Sequence, residues 1–262
     1  MEAGTTRRIE RRRLVEATQL ARLLRGSRRT VALTGAGISV PSGIPDFRSP
    51  GEGLWEEVDP MEVAHIGAFH RDPRRFWQFY RPRFATLADK QPNPAHRALA
   101  ELERRGLLGA VITQNIDRLH RKAGSRAVIE VHGSIDTSSC TSCGSSWRLE
   151  DVEALFDDGV ATCTHCSGKV KPDVVLFGEL LPEGAMDEAR RLAEEAELML
   201  CVGSSLEVYP VAGLPALTLE GGGKLAILTR GSTPYDGEAA VRMYGDVVED
   251  LEAVLAALDA PR

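Results

Sequence analysis

Six apolar runs rich in β-branched residues punctuate the chain: residues 30–35 (TVALTG), 107–113 (LLGAVIT), 127–133 (AVIEVHG), 172–178 (PDVVLFG), 196–203 (AELMLCVG) and 224–229 (KLAILT). Each has the length of a strand and is apolar throughout, as strands covered on both faces are. Amphipathic stretches with helical spacing lie between several of them, at 92–106, 182–196 and 246–260. This alternation predicts an α/β fold, a doubly wound parallel sheet with helices on both faces. Two stretches break the alternation. Residues 45–85 are rich in Pro, Gly and aromatics, and residues 134–170 hold four of the five cysteines, so both are expected to be insertions that carry specificity.

Polar strings begin where the apolar runs end: GAGIS at 35–39, TQNID at 113–117, HGS at 132–134, FGE at 177–179 and GSS at 203–205. In an open parallel sheet the carboxyl ends of the strands are where ligands bind, so all five strings are expected to share one edge. Gly35 and Gly37 follow the first strand as in a dinucleotide fingerprint, letting backbone approach a pyrophosphate, although position 40 is Val where that fingerprint has its third glycine. Ser204 and Ser205 are read as phosphate or ribose contacts. His132 ends a strand in the company of Gln114, Asn115 and Asp117. It is the candidate general base, since imidazole titrates near working pH and a strand end fixes its direction. His65, His70, His96 and His120 lack that setting and are read as structural.

Cys140-x2-Cys143 and Cys163-x2-Cys166 stand nineteen residues apart, a zinc-ribbon spacing. Four thiolates close the coordination shell, so one structural zinc ion is expected; His165 is read as an exposed turn residue. Cys201, inside an apolar run, is read as a buried small hydrophobe.

Charge narrows the partners. With 32 Lys and Arg against 38 Asp and Glu in 262 residues, the net charge is −6, which disfavours nucleic-acid or anionic-membrane binding. The first 26 residues are basic, but they lack the apolar core of a secretory signal, and Leu14, Ala17, Ala21 and Leu24 keep helical spacing there. No apolar run reaches membrane-spanning length, so a cytoplasmic protein is expected.

Together GAGISVPSGIPDFRS (35–49), TQNIDRLH (113–120), EVHGS (130–134), the cysteine pairs, KPDVVLFGE (171–179) and GSSLEVYP (203–210) occur in the order of the sirtuin family. From about residue 30 to 250 the chain resembles that family, and bacterial protein deacetylases in particular. The resemblance implies a Rossmann-like domain from residues 1–44, 107–133 and 171–262, a cofactor-binding loop and helical insertion at 45–106, and a zinc module at 134–170. It also implies NAD as a consumed cosubstrate and acyl-lysine proteins or peptides as partners. The acyl group passes to ADP-ribose, with release of nicotinamide and O-acyl-ADP-ribose. By the same resemblance His132 is the base, Asn115 and Gln114 position the ribose, and Ile116 and Asp117 bind the nicotinamide amide. Ala36, Phe47 and Arg48 come from a loop over the cofactor. Gly203, Ser204, Ser205, Thr229, Asp246 and Val247 complete the nucleotide site, with Leu228-Thr229 standing where the family usually has Ile or Val followed by Asn. Val175, Phe177, Gly178 and Glu179 pair with the peptide as an added strand.

Tyr80-x-x-Arg83 has the spacing that sirtuins preferring succinyl- or malonyl-lysine use to clamp a carboxylate, although Pro82 between the two is expected to disturb their shared helical face. Deacetylation is the favoured activity. Desuccinylation or demalonylation through Tyr80 and Arg83, and mono-ADP-ribosyl transfer or NAD hydrolysis in the same cleft, are the alternatives.

Overall fold

The computed structural model describes residues 2–46 and 58–261. Its strands are β1 (Thr30–Thr34), β2 (Ala110–Thr113), β3 (Val128–Glu130), β4 (Gly133–Cys140), β5 (Ser146–Arg148), β6 (Phe156–Asp157), β7 (Val160–Ala161), β8 (Val170–Val174), β9 (Leu198–Val202), β10 (Lys224–Leu228) and β11 (Ala239–Met243). The helices are α1 (Glu2–Gly26), α2 (Pro60–Val63), α3 (Ile66–Arg71), α4 (Pro73–Asp89), α5 (Pro94–Arg104), α6 (Leu119–Lys122), α7 (Glu183–Glu195), α8 (Leu214–Glu220) and α9 (Val247–Asp259). The three expected helices appear as α5, α7 and α9. Asn93 starts α5 by accepting from the Ala95 and His96 amides, and Asp246 starts α9 by accepting from Val248.

Six parallel strands form one sheet in the order β3-β2-β1-β9-β10-β11. The order reverses between β1 and β9, which opens a crevice at their carboxyl ends. Side chains alternate across the sheet. Ala32, Val111, Leu200 and Val202 pack on one face with Leu20, Leu99 and Leu251 from α1, α5 and α9. Val31, Leu33, Ile112, Met199 and Cys201 pack on the other with Ala189 and Leu214 from α7 and α8. Both faces are covered, and this is why these strands read as unbroken apolar runs. Leu14 departs from the expected face of α1: it is 61% exposed, and Ala17, Leu20, Ala21 and Leu24 make the buried stripe.

The run at 172–178 was expected in this sheet and is not there. Val170–Val174 pairs antiparallel with β4 at the edge of a separate three-stranded sheet, β5-β4-β8. Pro172 has no N–H to give a second neighbour, so an edge is where this strand is tolerated. The sixth parallel strand is β11. A third core cluster joins Phe69, Phe76, Trp77 and Phe84 of the helical insertion to Ile135, Val152, Val174 and Leu176, so the two insertions fold as one lobe beside the crevice.

Candidate active site and metal centre

Two loops cross at the reversal point, and glycine is what lets them. Gly37 donates its N–H to Gly203 O at 2.8 Å, and a Cβ at Gly37 would lie 2.8 Å from that same oxygen. Gly203 sits at φ +63°, where a Cβ would lie 2.2 Å from Ile38 N. Gly35 N–H reaches Val202 O at 3.1 Å, continuing the ladder beyond the strands. Short 3-10 turns at Ala36–Ile38 and Val40–Ser42 follow β1 in place of the long helix that the partial dinucleotide fingerprint implies.

Beside this crossing, the end of β2 presents TQNID. Gln114 donates through Nε2 to Ser204 Oγ at 2.9 Å, linking the ends of β2 and β9; Ser205 is half-buried beside it. Asn115 is held by three bonds: its N–H reaches Thr113 Oγ1 at 3.1 Å, and its Nδ2 reaches Gly35 O and Ser39 Oγ, each at 3.1 Å. Ser39 Oγ in turn donates to Asp117 Oδ2 at 2.6 Å, and the other Asp117 oxygen accepts from Leu119 N–H at 2.9 Å. Asp117 is buried, which raises its carboxyl above the ordinary value against the pull of those bonds. Ile116 packs partly buried against the second lobe, and its carbonyl accepts from Ile135 N–H at 3.4 Å.

His132 follows β3 and Val131, half-buried, with Nδ1 3.0 Å from Gln114 O. A carbonyl can only accept, so Nδ1 carries the proton and Nε2 is left as a basic lone pair. Burial lowers the His132 pKa below its usual value despite that hydrogen bond, so the ring is neutral at pH 7. The His132 carbonyl accepts from Val175 N–H at 2.9 Å, which ties the base to the loop that leaves β8. In that loop Phe177 bridges to His65 as a parallel pair and is 42% exposed. Glu179 accepts from Leu176 N–H at 2.8 Å and from Lys171 Nζ at 3.1 Å. Gly178 stands at φ +85°, packed so that a Cβ would meet His65 at 2.8 Å.

The remaining expected residues fall in different settings. Thr229 is half-buried at the end of β10, its N–H bonded to Met243 O. Asp246 caps α9 and pairs with Arg230 at 2.6 Å, while Val247 lies in the first core cluster. Helix α4 runs through Pro82 without a break. Arg83 folds back on its own helix, donating to Phe79 O at 2.7 Å with its guanidinium 3.7 Å above the Phe79 ring. Tyr80 stacks on Phe84 at 5.2 Å, and burial raises its hydroxyl pKa well above the ordinary value. Phe47 and Arg48 lie outside the described residues. Ser39 closes the GAGIS string, but its tie to Asn115 and Asp117 was not legible in the sequence, because those partners lie 76 and 78 positions away.

The four cysteines converge. All four Sγ atoms lie within 4.8 Å of one another, with Cys140–Cys166 at 3.5 Å and Cys143–Cys163 at 3.6 Å. A tetrahedron of zinc–sulfur bonds of the usual length has an edge of about 3.8 Å, so this donor set fits a zinc ion. Backbone amides of Ser142, His165 and Gly168 point at Cys140, Cys163 and Cys166 Sγ at 3.3–3.4 Å, as thiolates attract. His165 is exposed and stacks on Trp147 at 6.1 Å, outside the cluster. No helix among the described residues is long and apolar enough to cross a membrane.

Comparison with known proteins agrees with this geometry. The family model of the Sir2 family matches residues 35–210. An NAD-dependent protein deacetylase of Thermotoga maritima is 46% identical, over 89% of this chain and 94% of that protein. A solved Sir2 with deacetylated p53 peptide and 3′-O-acetyl ADP-ribose superposes with a TM-score of 0.87 at 44% identity, over 90% of this chain and 96% of that one. A Sir2 with p53 peptide and NAD+ superposes at 0.84 with 45% identity, over 89% and 95% of the respective chains.

Proposed function

The chain belongs to the Sir2 family, and from that membership and the geometry of the crevice we infer that it is an NAD-dependent protein-lysine deacetylase. NAD supplies an anomeric carbon that becomes electrophilic as nicotinamide leaves, and the acyl-lysine carbonyl oxygen attacks it. Asn115 and Gln114, locked by the bonds described above, meet the ribose; Gly35, Ala36, Gly203 and Ser204 line the phosphate end. His132 Nε2 takes the proton of a ribose hydroxyl, whose oxygen adds to the acyl carbon. A water then supplies the oxygen that replaces the lysine nitrogen on that carbon, the original acyl oxygen staying on the anomeric carbon, so that the acyl group ends on ADP-ribose and lysine is freed as its amine. The loop from Val175 to Glu179 receives the peptide beside the base. The observation that carries this reading is the basic Nε2 of His132, fixed by Gln114 O next to Asn115 at the strand-order reversal.

The test is incubation with NAD and matched acetylated and unmodified peptides. Nicotinamide release that requires the acetyl group, with O-acetyl-ADP-ribose as co-product, is expected. Release independent of acylation would assign the site to ADP-ribosyl transfer or NAD hydrolysis.

Two expected results follow from the side-chain environment. The base form of His132 is the competent one and burial lowers its pKa, so the acid limb of kcat/KM should lie below pH 6.5, with activity lost as pH falls through that lowered value. A pH–rate profile checks this, and an acid limb above pH 7 would contradict it. Because Arg83 is committed to Phe79 on its own helix, Arg83→Met should change kcat/KM on acetyl- and succinyl-lysine peptides by the same factor, within about twofold. A selective loss on the succinyl peptide would assign Arg83 to a carboxylate clamp.

A further inference from the structure

Beneath Asn115 lie two histidines that the sequence gives no reason to connect with the reaction. His96 is 0% and His120 2% exposed, their rings meet edge to face with centroids 4.9 Å apart, and the deacetylase reading assigns neither a task. Their protons can be assigned one at a time. Ser39 has a single hydroxyl proton and gives it to Asp117 at 2.6 Å, so His96 Nε2, 3.5 Å from Ser39 Oγ, can only donate to that oxygen. Thr34 Oγ1 gives its proton to Thr113 Oγ1 at 2.9 Å, which leaves His120 Nε2, 2.9 Å from Thr34 Oγ1, as the donor there. Both rings then carry the proton on Nε2. Neither Nδ1 has a partner among the described residues, and a bare buried acceptor is more readily tolerated than a bare buried N–H. Burial pushes His96 down to about 4 and His120 to about 3, so both stay neutral at working pH.

Every polar contact of these two rings among the described residues therefore runs toward the site, and each ends on Asn115. His96 donates to Ser39 Oγ, which accepts from Asn115 Nδ2; His120 donates to Thr34, which donates to Thr113, which accepts from Asn115 N–H. An apolar ring would fill the same volume without burying a polar one, so packing does not account for them. We propose that His96 and His120 are positioning residues, whose Nε2–H groups, acting through Ser39 and through Thr34 and Thr113, hold Asn115 where it meets the ribose. This rests on the deacetylase reading for what Asn115 contacts.

The test uses the full chain. His120→Phe keeps a ring and removes the donor, and is expected to lower kcat about tenfold to a hundredfold, since small displacements of a positioned group carry costs of that order. The peptide KM should stay within about twofold, because the 175–179 loop makes none of these bonds. His120→Gln, which keeps an N–H near the Nε2 position, should recover most of the loss. Thr34→Val against Thr34→Ser repeats the comparison from the other end of the bond and decides it if His120→Phe does not fold. A kcat unchanged in both His120→Phe and Thr34→Val, or equal losses in Phe and Gln and in Val and Ser, would overturn the proposal. So would ¹⁵N spectra showing either ring as the Nδ1–H tautomer, a measurement independent of turnover. Wild-type enzyme without acyl-dependent nicotinamide release would instead remove the deacetylase reading, leaving the tautomers to decide the hydrogen-bond chain.

Discussion

His132→Ala is expected to lower kcat by about 10²–10⁴-fold, the usual contribution of a positioned general base, while leaving the fold in place. Among the described residues the side chain makes one hydrogen bond, to Gln114 O, and it is half-buried. Its removal leaves a small void open to the crevice and exposes a carbonyl that water can satisfy. The Val175 bond uses the backbone of residue 132 and survives the substitution, so peptide binding should change little. Loss of turnover with peptide affinity and thermal midpoint retained would separate chemistry from architecture. Near-normal turnover would refute the base assignment outright.

What the sequence reveals and what it hides divide along physical lines. The buried parallel strands were legible because both faces of the sheet are covered, which forces apolar residues at every position. The shared edge was legible because polar strings can only follow such strands at their ends. β11 was missed: Arg242 stands inside it, which looks wrong for a strand. Its guanidinium is satisfied by Asp236 and by the carbonyls of Ile227 and Thr229, partners 15 and 13 positions away that no local pattern announces. The run at 172–178 misled in the opposite sense, its apolar character coming from the third core cluster and Pro172 being the signal for an edge. The hydroxyl and imidazole chain under Asn115 was invisible for a similar reason, since residues 34, 39, 96, 113 and 120 meet only through the sheet order. Tyr80 and Arg83 show the converse: spacing fits a clamp, but the Phe79 ring and carbonyl compete for the guanidinium within one helical turn.

The metal centre makes the other large prediction. Structural zinc sites of four cysteines bind with apparent free energies of roughly 10–16 kcal/mol in small zinc-finger peptides, comparable with the whole stability of a typical domain. Here the four sulfurs join the turn after β4 to the turn before β8, adding to the β4–β8 pairing that sets Cys140 opposite Val170 and to the bond from Thr141 N–H to Lys169 O; Cys143 and Cys166 are exposed, and β6 and β7 are two residues each. Cys140→Ala should therefore release zinc, which metal analysis reads directly, and should open residues 134–170 to limited proteolysis. The damage should reach catalysis without contact with substrate. β4 begins at the residue after His132, and β8 runs into the loop whose Val175 N–H rests on the His132 carbonyl, so loosening this lobe frees both the base and the peptide loop. The six-stranded sheet has its own two cores and should keep its fold, so thermal unfolding should change from one transition to two. Chelation of the wild type should reproduce the effect and added zinc should reverse it. A zinc-free Cys140→Ala protein that stays protease-resistant and fully active would show that the second lobe holds through its aromatic cluster alone.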